Sequence, residues 1–451
     1  MNTMFGGFMR SKKIELGALK MFKKYARVMI VLIVALFSFT ACKNSSAKDK
    51  TDDEAKSNEL VVWGWDKNLN GYAMDQAKKT YEEQTGDKVK IKFVEMAKAD
   101  ALKKLHTVLA SGVTDSLPDI VLISDLNAQG YLMSYPKAFK SMDKQIEYKD
   151  FASYKKDAVS YDGKGYGVPF DTGVAGLFYR RDYLKEIGYS EDQMQNLTWD
   201  EYLKIGEKLK EKGHLLQTFN PNDNSDLQIM LQSAGSWYTD KDGKANFVNN
   251  EALKESLEIF KKFNSSDFVK VVSDWTEFTG AINSGDVACV IRGSWISPTI
   301  RAAKDQSGKW GVAPIPKLNV EGATNRSNQG GSSWFVLNGS NNSKLATKFI
   351  KTTFGENKEL YETLLKEKNI MGTYLPAANS DAYEVEDKFN GGQKVNHDLS
   401  VWLSEVPEVN TGAYTAEAQA ALLGVSPEIY KGHDLTDSLK EAEKQFDQSI
   451  E

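Results

Sequence analysis

Three apolar segments alternate with two amphipathic segments between positions 59 and 125, and this order constrains the fold more than any other feature of the sequence. The apolar segments, "ELVVWGW", "KVKIKFVEM" and "LPDIVLISD", have the length and the branched or aromatic residues that are typical of strands. The intervening segments repeat apolar residues at helical spacing, as at Ala73, Ala77 and Tyr81, and each ends at a glycine. The order strand, helix, strand, helix, strand predicts an α/β fold with parallel strands and helices on the faces of the sheet.

The carboxyl ends of these strands mark a candidate ligand site, because ligands of open α/β sheets bind just beyond those ends. Trp63, Trp65 and Asp66 follow the first strand, and Asp125 follows the third. Indole faces pack on the CH-rich faces of sugars, and carboxylates accept hydrogen bonds from hydroxyls, so this edge suits a carbohydrate. We expect Trp63 and Trp65, two positions apart on a strand, to point the same way. The alternative is that both belong to the core.

The first 41 residues have the pattern of an export signal. Basic residues at positions 23, 24 and 27 precede an apolar segment, which is about 14 residues long and therefore shorter than the roughly 20 that span a bilayer. Met21 is an alternative start. Residues 42–58 are polar and charged, which predicts a disordered tether, and folded structure should begin at Glu59.

Composition and motifs argue against several classes of function. The net charge of −5, with basic and acidic residues interspersed, predicts no basic face for nucleic acid. The two cysteines, Cys42 and Cys289, predict no internal disulfide, and the four histidines lack a zinc-binding spacing, so we expect no metal and no cofactor. The sequence has no nucleophile elbow and no phosphate-binding loop, but a glycosidase pair of carboxylates stays open.

The end of the export signal, Phe39-Thr40-Ala41-Cys42, resembles the lipobox of bacterial lipoproteins, with Phe39 where leucine is usual. The resemblance implies that Cys42 receives a lipid, becomes the new N-terminus and holds the chain on the extracytoplasmic face of the cell membrane. The alternative is ordinary cleavage beside a cysteine with no such role.

Five segments in order resemble the extracellular sugar-binding proteins of ATP-driven importers, the group that includes the maltose-binding proteins. They are the opening strand and helix, "LPDIVLISDLNAQGYL", "DGKGYGVPFDTGVAGLFYRRDYL", "TWDEYLKIGEKLKEKG" and "AINSGDVACVIRGSW". The resemblance implies two α/β lobes, each with a mostly parallel sheet, joined by a hinge of several crossings. The first lobe would take residues 59–169 and about 328–371, and the second about 170–327 and 372–451.

Glycines and a proline stand where the hinge is expected. Pro169 and Gly173 flank one implied crossing, and Gly330 and Gly331 lie in the other, where they allow the backbone to bend or to approach a ligand. The alternative for the glycine pair is an ordinary turn.

The family pattern also implies a set of ligand contacts. These are Trp63, Trp65, Asp66, Asp125, Phe170, Asp171 and Trp295. For five further residues the pattern implies a contact, while a core or surface role stays open: Trp237, Trp275, Gln329, Ser332 and Tyr414.

The implied function is capture of a di- or oligosaccharide between the lobes and its delivery to the transmembrane subunits of an ABC permease, by a monomer that is not an enzyme. A ligand that touches both lobes makes all its contacts only when they close, so its binding drives closure. The alternative is a surface glycoside hydrolase or lyase with paired carboxylates in an aromatic cleft.

The expected lipid on Cys42 gives the first prediction. Cys42→Ser should release the protein from the membrane fraction or leave an unprocessed precursor, because the lipid replaces a membrane-spanning helix. Fractionation and mass spectrometry of the N-terminus measure this. Wild-type protein found in the medium with an unmodified Cys42 would contradict the prediction.

Overall fold

The structure is a computed structural model that describes residues 58–113 and 116–451. The predicted export signal, the alternative start at Met21, Cys42 and nearly all of the tether lie outside these residues. In the described ranges no helix is both long and apolar enough to cross a membrane.

The described residues form twelve strands. In chain order they are β1 (Glu59–Gly64), β2 (Lys90–Glu95), β3 (Ile120–Ser124), β4 (Ser160–Tyr161), β5 (Lys164–Gly165), β6 (Gly167–Asp171), β7 (Ala175–Arg180), β8 (Thr218–Phe219), β9 (Lys270–Val271), β10 (Cys289–Gly293), β11 (Trp310–Ala313) and β12 (Ser332–Val336).

The same ranges contain fifteen α-helices. They are α1 (Tyr72–Thr85), α2 (Lys98–Ser111), α3 (Asp125–Ser134), α4 (Ser153–Ala158), α5 (Arg181–Glu186), α6 (Trp199–Glu211), α7 (Asp226–Ser233), α8 (Glu251–Ser265), α9 (Trp275–Ser284), α10 (Ser297–Ile300), α11 (Ser343–Ile350), α12 (Lys358–Lys368), α13 (Val395–Leu403), α14 (Thr415–Tyr430) and α15 (Leu435–Ile450).

The larger sheet has five strands in the order β2-β1-β3-β12-β6. Strand β1 pairs in parallel with both β2 and β3, as the alternating segments predict. Strand β12 runs antiparallel to β3 and β6. The reason is its origin: β12 enters the sheet at Ser332, beside the carboxyl end of β3, and therefore runs back through the sheet.

The second sheet has three strands in the order β10-β7-β11, and both pairs are antiparallel. The expectation of a mostly parallel sheet therefore does not hold in this part of the fold. The chain enters the sheet along β7 at Ala175, and β10 returns to the same end, since its Gly293 pairs with Ala175. Strands that leave and approach one end must run in opposite directions.

Two chain segments connect the sheets side by side. Residues 172–174 lead from β6 to β7, and residues 327–331 lead back to β12. The segments form an antiparallel bridge between Val174 and Asn328, and the Gln329 N–H donates to the Gly173 carbonyl at 2.7 Å. Gly330 and Gly331 have φ of 110° and 95°, a region that favours glycine. A third passage lies close by, where Gly372 bridges Asp171.

Both sheets bury apolar side chains on their two faces. On one face of the larger sheet Leu60 and Val62 share a cluster with Met74 of α1. On the other face Trp63 and Val121 share a cluster with Leu105 of α2. The second sheet alternates in the same way, with Leu177 in one cluster and Phe178 in another.

Phe170 of β6 packs within the cluster that contains Leu60, Val62 and Met74, and this packing gives the second prediction. Its ring centroid lies 5.4 Å from that of Trp334 and 5.2 Å from that of Phe354. Phe170→Ala should lower the free energy of unfolding by about 3–5 kcal/mol, because it leaves a cavity among aromatic rings. Chemical denaturation measures this loss. Val385→Ala, at an exposed position, is the control, and an equal effect of both variants would contradict the prediction.

Candidate functional site

A cavity of about 450 Å³ lies between elements of the two sheets and is open to solvent. The crossing that contains Gln329 and Gly330 contributes these two residues to its lining. Helices α2 and α3 contribute one wall, and elements around the second sheet contribute the other. Side chains that line it include Lys98, Leu126, Asn220, Asp223, Gln228, Trp275, Phe278, Arg292 and Trp295.

Two exposed tryptophans dominate the second wall. Trp275 begins α9, whose N-terminus is capped by Asp274, and Trp295 follows β10 directly. Trp275 is 54% exposed and Trp295 is 45% exposed. Their ring centroids lie 6.2 Å apart, and the angle between the ring planes is 34°. Trp275 also stacks on Phe278 at 5.0 Å. Exposed apolar faces grouped in this way are typical of a binding surface.

Trp295 is held in place by the crossing. Its indole Nε1 donates to the Gln329 carbonyl at 2.7 Å, and the Gln329 side-chain oxygen accepts from the Gly293 N–H at 3.2 Å. The indole N–H is therefore satisfied within the protein, and the ring face is left for a ligand. The turn at Gly293 and Ser294 turns the chain out of β10, as the sequence suggests.

Polar side chains surround the indoles. Arg292 pairs with Asp226 of α7, and its guanidinium lies 5.0 Å from the Phe278 ring centroid. Asn220 and Gln228 add amide groups, which can both donate and accept hydrogen bonds. This wall therefore combines the apolar faces of two indoles with groups that can form hydrogen bonds to hydroxyls.

The opposite wall carries a cation. The Lys98 ammonium lies 5.8 Å from the Trp65 ring centroid. The surrounding protein partly desolvates it and lowers its pKa, while the carboxylates of Asp125 and Asp171 oppose that shift. Asp66 is engaged locally, since its Oδ1 caps the following helical turn by accepting from the N–H groups of Asn68 and Leu69 at 2.8 and 3.0 Å.

Two predicted acidic residues are engaged inside the protein. The Asp125 carboxylate accepts from the Lys155 ammonium at 2.6 and 2.8 Å and from the Ser333 hydroxyl at 3.1 Å. The Asp171 Oδ1 accepts from the N–H and the hydroxyl of Ser332 at 2.7 and 2.6 Å. Burial raises the pKa of both carboxyl groups, and the Lys155 ammonium opposes the rise.

Three predicted contacts lie in the hydrophobic cores. Trp63 is buried beneath Lys104, whose ammonium lies 4.4 Å from the ring centroid. Phe170 is enclosed by rings, and Trp237 is buried with its Nε1 donating to the Thr415 hydroxyl at 3.0 Å. None of the three lines the cavity, so we leave them out of the proposed site.

Trp63 and Trp65 do not point the same way. They pack against different clusters on opposite faces of the larger sheet. The reason is that β1 ends at Gly64, so the alternation of a strand does not extend to Trp65.

Tyr414 lies elsewhere, on a second cavity of about 640 Å³. That cavity lies between α3 and the β4–β5 hairpin on one side and the turns at 240–243 and 410–414 on the other. The predicted residues are thus divided among two cavities, three hydrophobic clusters, the local cap at Asp66 and the polar contacts around the crossings.

Several side chains at the site were not predicted from the sequence. Arg292 stands three residues before Trp295, and a charged residue within the apolar strand "ACVIRG" was a usable signal. Lys98 begins helix α2, Asn220 lies in a polar segment, and Gln228 lies in the buried helix α7. None of these positions gives such a signal, because only the fold brings them to the cavity.

Comparison with known proteins identifies the class. A family model described as "Bacterial extracellular solute-binding protein" matches residues 76–390. The lactose-binding protein of Rhizobium radiobacter is 42% identical over 392 residues, which cover 87% of this chain and 93% of that protein. The chain therefore belongs to the bacterial extracellular solute-binding protein family, whose members act outside the cytoplasm.

More distant similarities agree with this assignment. An arabinooligosaccharide-binding protein of Bacillus subtilis is 24% identical over 350 residues, 75% of this chain and 79% of that protein. The galacto-N-biose-/lacto-N-biose I-binding protein of Bifidobacterium longum aligns with a TM-score of 0.70 at 18% identity, covering 88% of this chain and 98% of that chain. A binding protein of B. animalis, solved with β-1,6-galactobiose, aligns with a TM-score of 0.64 at 22% identity, covering 87% and 97%. The structural matches establish the two-lobed fold.

Proposed function

We propose that the chain is a lipid-anchored substrate-binding protein of an ABC transporter that captures a di- or oligosaccharide between its two lobes and delivers it to a membrane permease. The observation that carries the proposal is the pair of exposed indoles, Trp275 and Trp295, in a cavity lined from both sides of a hinge.

The chemistry of the cavity suits a sugar of more than one ring. Indole faces pack on the CH faces of pyranose rings, and buried contact of this kind is worth about 25 cal/mol per Å². Trp275 and Trp295 are 6.2 Å apart and tilted, so together they offer a surface broader than one ring. Amide, guanidinium and ammonium groups at Gln228, Arg292 and Lys98 supply hydrogen bonds to hydroxyls.

The relatives narrow the class of sugar. The similarity to a lactose-binding protein over 93% of that protein's length supports a galactoside disaccharide as the ligand. The arabinooligosaccharide-binding relative supports the broader class of short oligosaccharides. Lactose is therefore the first probe.

The two crossings support a closing mechanism. A sugar between the walls contacts Trp295 on one side and Lys98 on the other, and these contacts exist together only when the lobes are near one another. Its higher affinity for the closed state shifts the population to that state. The closed form is then the species that the permease recognises.

We propose binding rather than catalysis. A glycosidase needs two carboxylates free to act on the sugar, one as acid and one as base or nucleophile. The acidic side chains at or beside the cavity have other partners. Asp223 accepts from the Ser225 N–H, Asp226 pairs with Arg292, and Asp274 caps α9. Asp125 and Asp171 are engaged beside the crossings. The lipid on Cys42, the monomeric state and the permease partner rest on resemblance to the family.

A panel of sugars tests the proposal and gives the third prediction. Lactose or another galactoside at a hundred times its Kd should stabilise the protein by about 2.7 kcal/mol, because it binds only the native state. Thermal shift measures this, and small-angle scattering should show a smaller radius of gyration. Sucrose and glucose serve as comparison sugars.

Two results would count against binding as the function. The first is no stabilisation by any galactoside, arabinoside or maltodextrin in the panel. The second is cleavage of the sugar, seen by chromatography after incubation, which would favour the hydrolase or lyase.

Trp295 gives the fourth prediction. If about half of an indole surface of roughly 150–250 Å² meets the sugar, Trp295→Ala should cost on the order of 2 kcal/mol, or about thirtyfold in affinity. Calorimetry with the sugar found in the panel measures this. Trp295→Phe keeps an aromatic face but loses the bond to Gln329, so it should weaken binding less.

The stability of the same variant separates a cavity residue from a core residue. A half-exposed indole leaves little cavity when removed, so the melting temperature should change little. Unchanged affinity together with a large fall in melting temperature would remove Trp295 from the proposed site.

A further inference from the structure

Lys155 is a lysine with no exposed side-chain surface, and the proposed binding contacts do not use it. It lies on the short helix α4, beside the exposed Lys156. Removing an ammonium from water is costly unless it is paired and hydrogen-bonded, so a buried lysine requires specific partners.

The Lys155 ammonium has four oxygen acceptors within 3.0 Å. Two are the carboxylate oxygens of Asp125, at 2.8 and 2.6 Å. The others are the backbone carbonyls of Asp171 at 3.0 Å and Ser332 at 2.9 Å. These acceptors belong to the junction of β3 with α3, the end of β6 and the start of β12. One ammonium therefore joins three strands at the edge where the chain leaves and re-enters the larger sheet.

The preceding residue of α4 contacts the crossings themselves. The Tyr154 hydroxyl lies 2.6 Å from the Thr172 hydroxyl and 3.3 Å from the Asn328 side-chain oxygen. That oxygen also accepts from the Gly173 N–H at 3.0 Å. Tyr154 thus contacts both crossings, while Lys155 contacts the strand ends that flank them.

The Asp125 carboxylate is held by the same contacts. It accepts from Lys155 and Ser333, and it does not line the cavity. Gly331 allows this close approach, since a Cβ there would lie 2.5 Å from Asp125 Oδ2. This acidic residue, which the sequence predicts at the ligand edge, is engaged beside the crossings and lies outside the cavity lining.

We propose that Lys155 is a positioning residue of the hinge: its ammonium, paired with Asp125, fixes the ends of β3, β6 and β12 relative to one another and thereby sets how the two lobes close. The pair acts on the sugar only through the hinge. The part of this inference that concerns affinity rests on the proposed function, and the part that concerns the ligand-free hinge does not.

The test compares four variants: Lys155→Met, Asp125→Asn, the double variant, and Lys156→Met as the matched control on the same helix. Melting temperature, the radius of gyration without ligand, and lactose affinity well below the melting temperature are the measurements. Each single variant should lower the melting temperature by about 5 °C or more, because it leaves one buried charge unpaired.

The double variant should lose less than the sum of the two single losses, since it removes both charges together. The hinge role adds two results that stability alone would not produce. In both single variants the ligand-free radius of gyration should rise, and lactose affinity should fall about tenfold because fewer molecules reach the closed state. Lys156→Met should match the wild type in every measurement.

A purely structural role would overturn the proposal: melting temperatures would fall while the ligand-free radius and the affinity stayed at wild-type values. Additive effects of Lys155→Met and Asp125→Asn on the melting temperature would also overturn it. A loss of affinity in Asp125→Asn without loss of stability would return Asp125 to the ligand site.

If Lys155→Met does not fold, Asp125→Asn, which keeps the shape of the side chain, decides the matter with the same measurements. If the wild type binds no sugar, the proposed function fails, while the ligand-free radius and the coupling of melting temperatures still decide the role of Lys155.

Discussion

The backbone pairing of Gly173 with Gln329 is the contact on which the arrangement of sheets and cavity depends. The Gln329 N–H donates to Gly173, and the Gln329 carbonyl accepts from the Trp295 indole. A Cβ at position 173 would lie 2.1 Å from that carbonyl, so the approach requires glycine. Gln329, in the crossing that leads back to β12, thus makes two contacts. Its N–H binds the crossing that leads out to β7, and its carbonyl binds the Trp295 indole of the cavity. A change in the relative position of the crossings must therefore change the position of Trp295.

The direction of each strand depends on how the chain connects the strands. Local sequence patterns do not contain this information, so they predict only part of the fold. The alternation from Glu59 to Asp125 predicts β1, α1, β2, α2 and β3 because each segment carries its own periodicity. The antiparallel strands β12, β10 and β11 have the same apolar character as parallel strands. Their direction depends on the end of the sheet at which the chain enters. That information lies in the crossings, which are only a few residues long.

The candidate site shows a similar division between local and global information. Trp295 stands after a strand and a glycine, so its emergence at the cavity was predictable from the sequence. Trp63 and Phe170 occupy comparable positions near strand ends, yet helices cover both, and no local pattern distinguishes covered from open strand ends. The burial of Lys155 could not be predicted from the sequence for a further reason. Its four hydrogen-bond acceptors come from segments up to 177 positions away in the sequence. A lysine beside another lysine on a polar helix gives no indication of burial.

The distribution of charge around the cavity also bears on binding against catalysis. A catalytic acid or base must change its protonation state during turnover, and so it needs a position where proton transfer to the substrate is possible. Here Asp125 and Asp171, two carboxyl groups whose pKa values are raised by burial, are engaged with Lys155 and with Ser332 beside the crossings. A proton gained by Asp125 would weaken its bond to the Lys155 ammonium and so disturb the crossings. In the proposed hinge role, the charges of Asp125 and Lys155 maintain the geometry of a moving joint, and such groups are poorly suited to exchange protons with a substrate. The proposed binding function requires only that the joint return to the same closed position each time a ligand arrives.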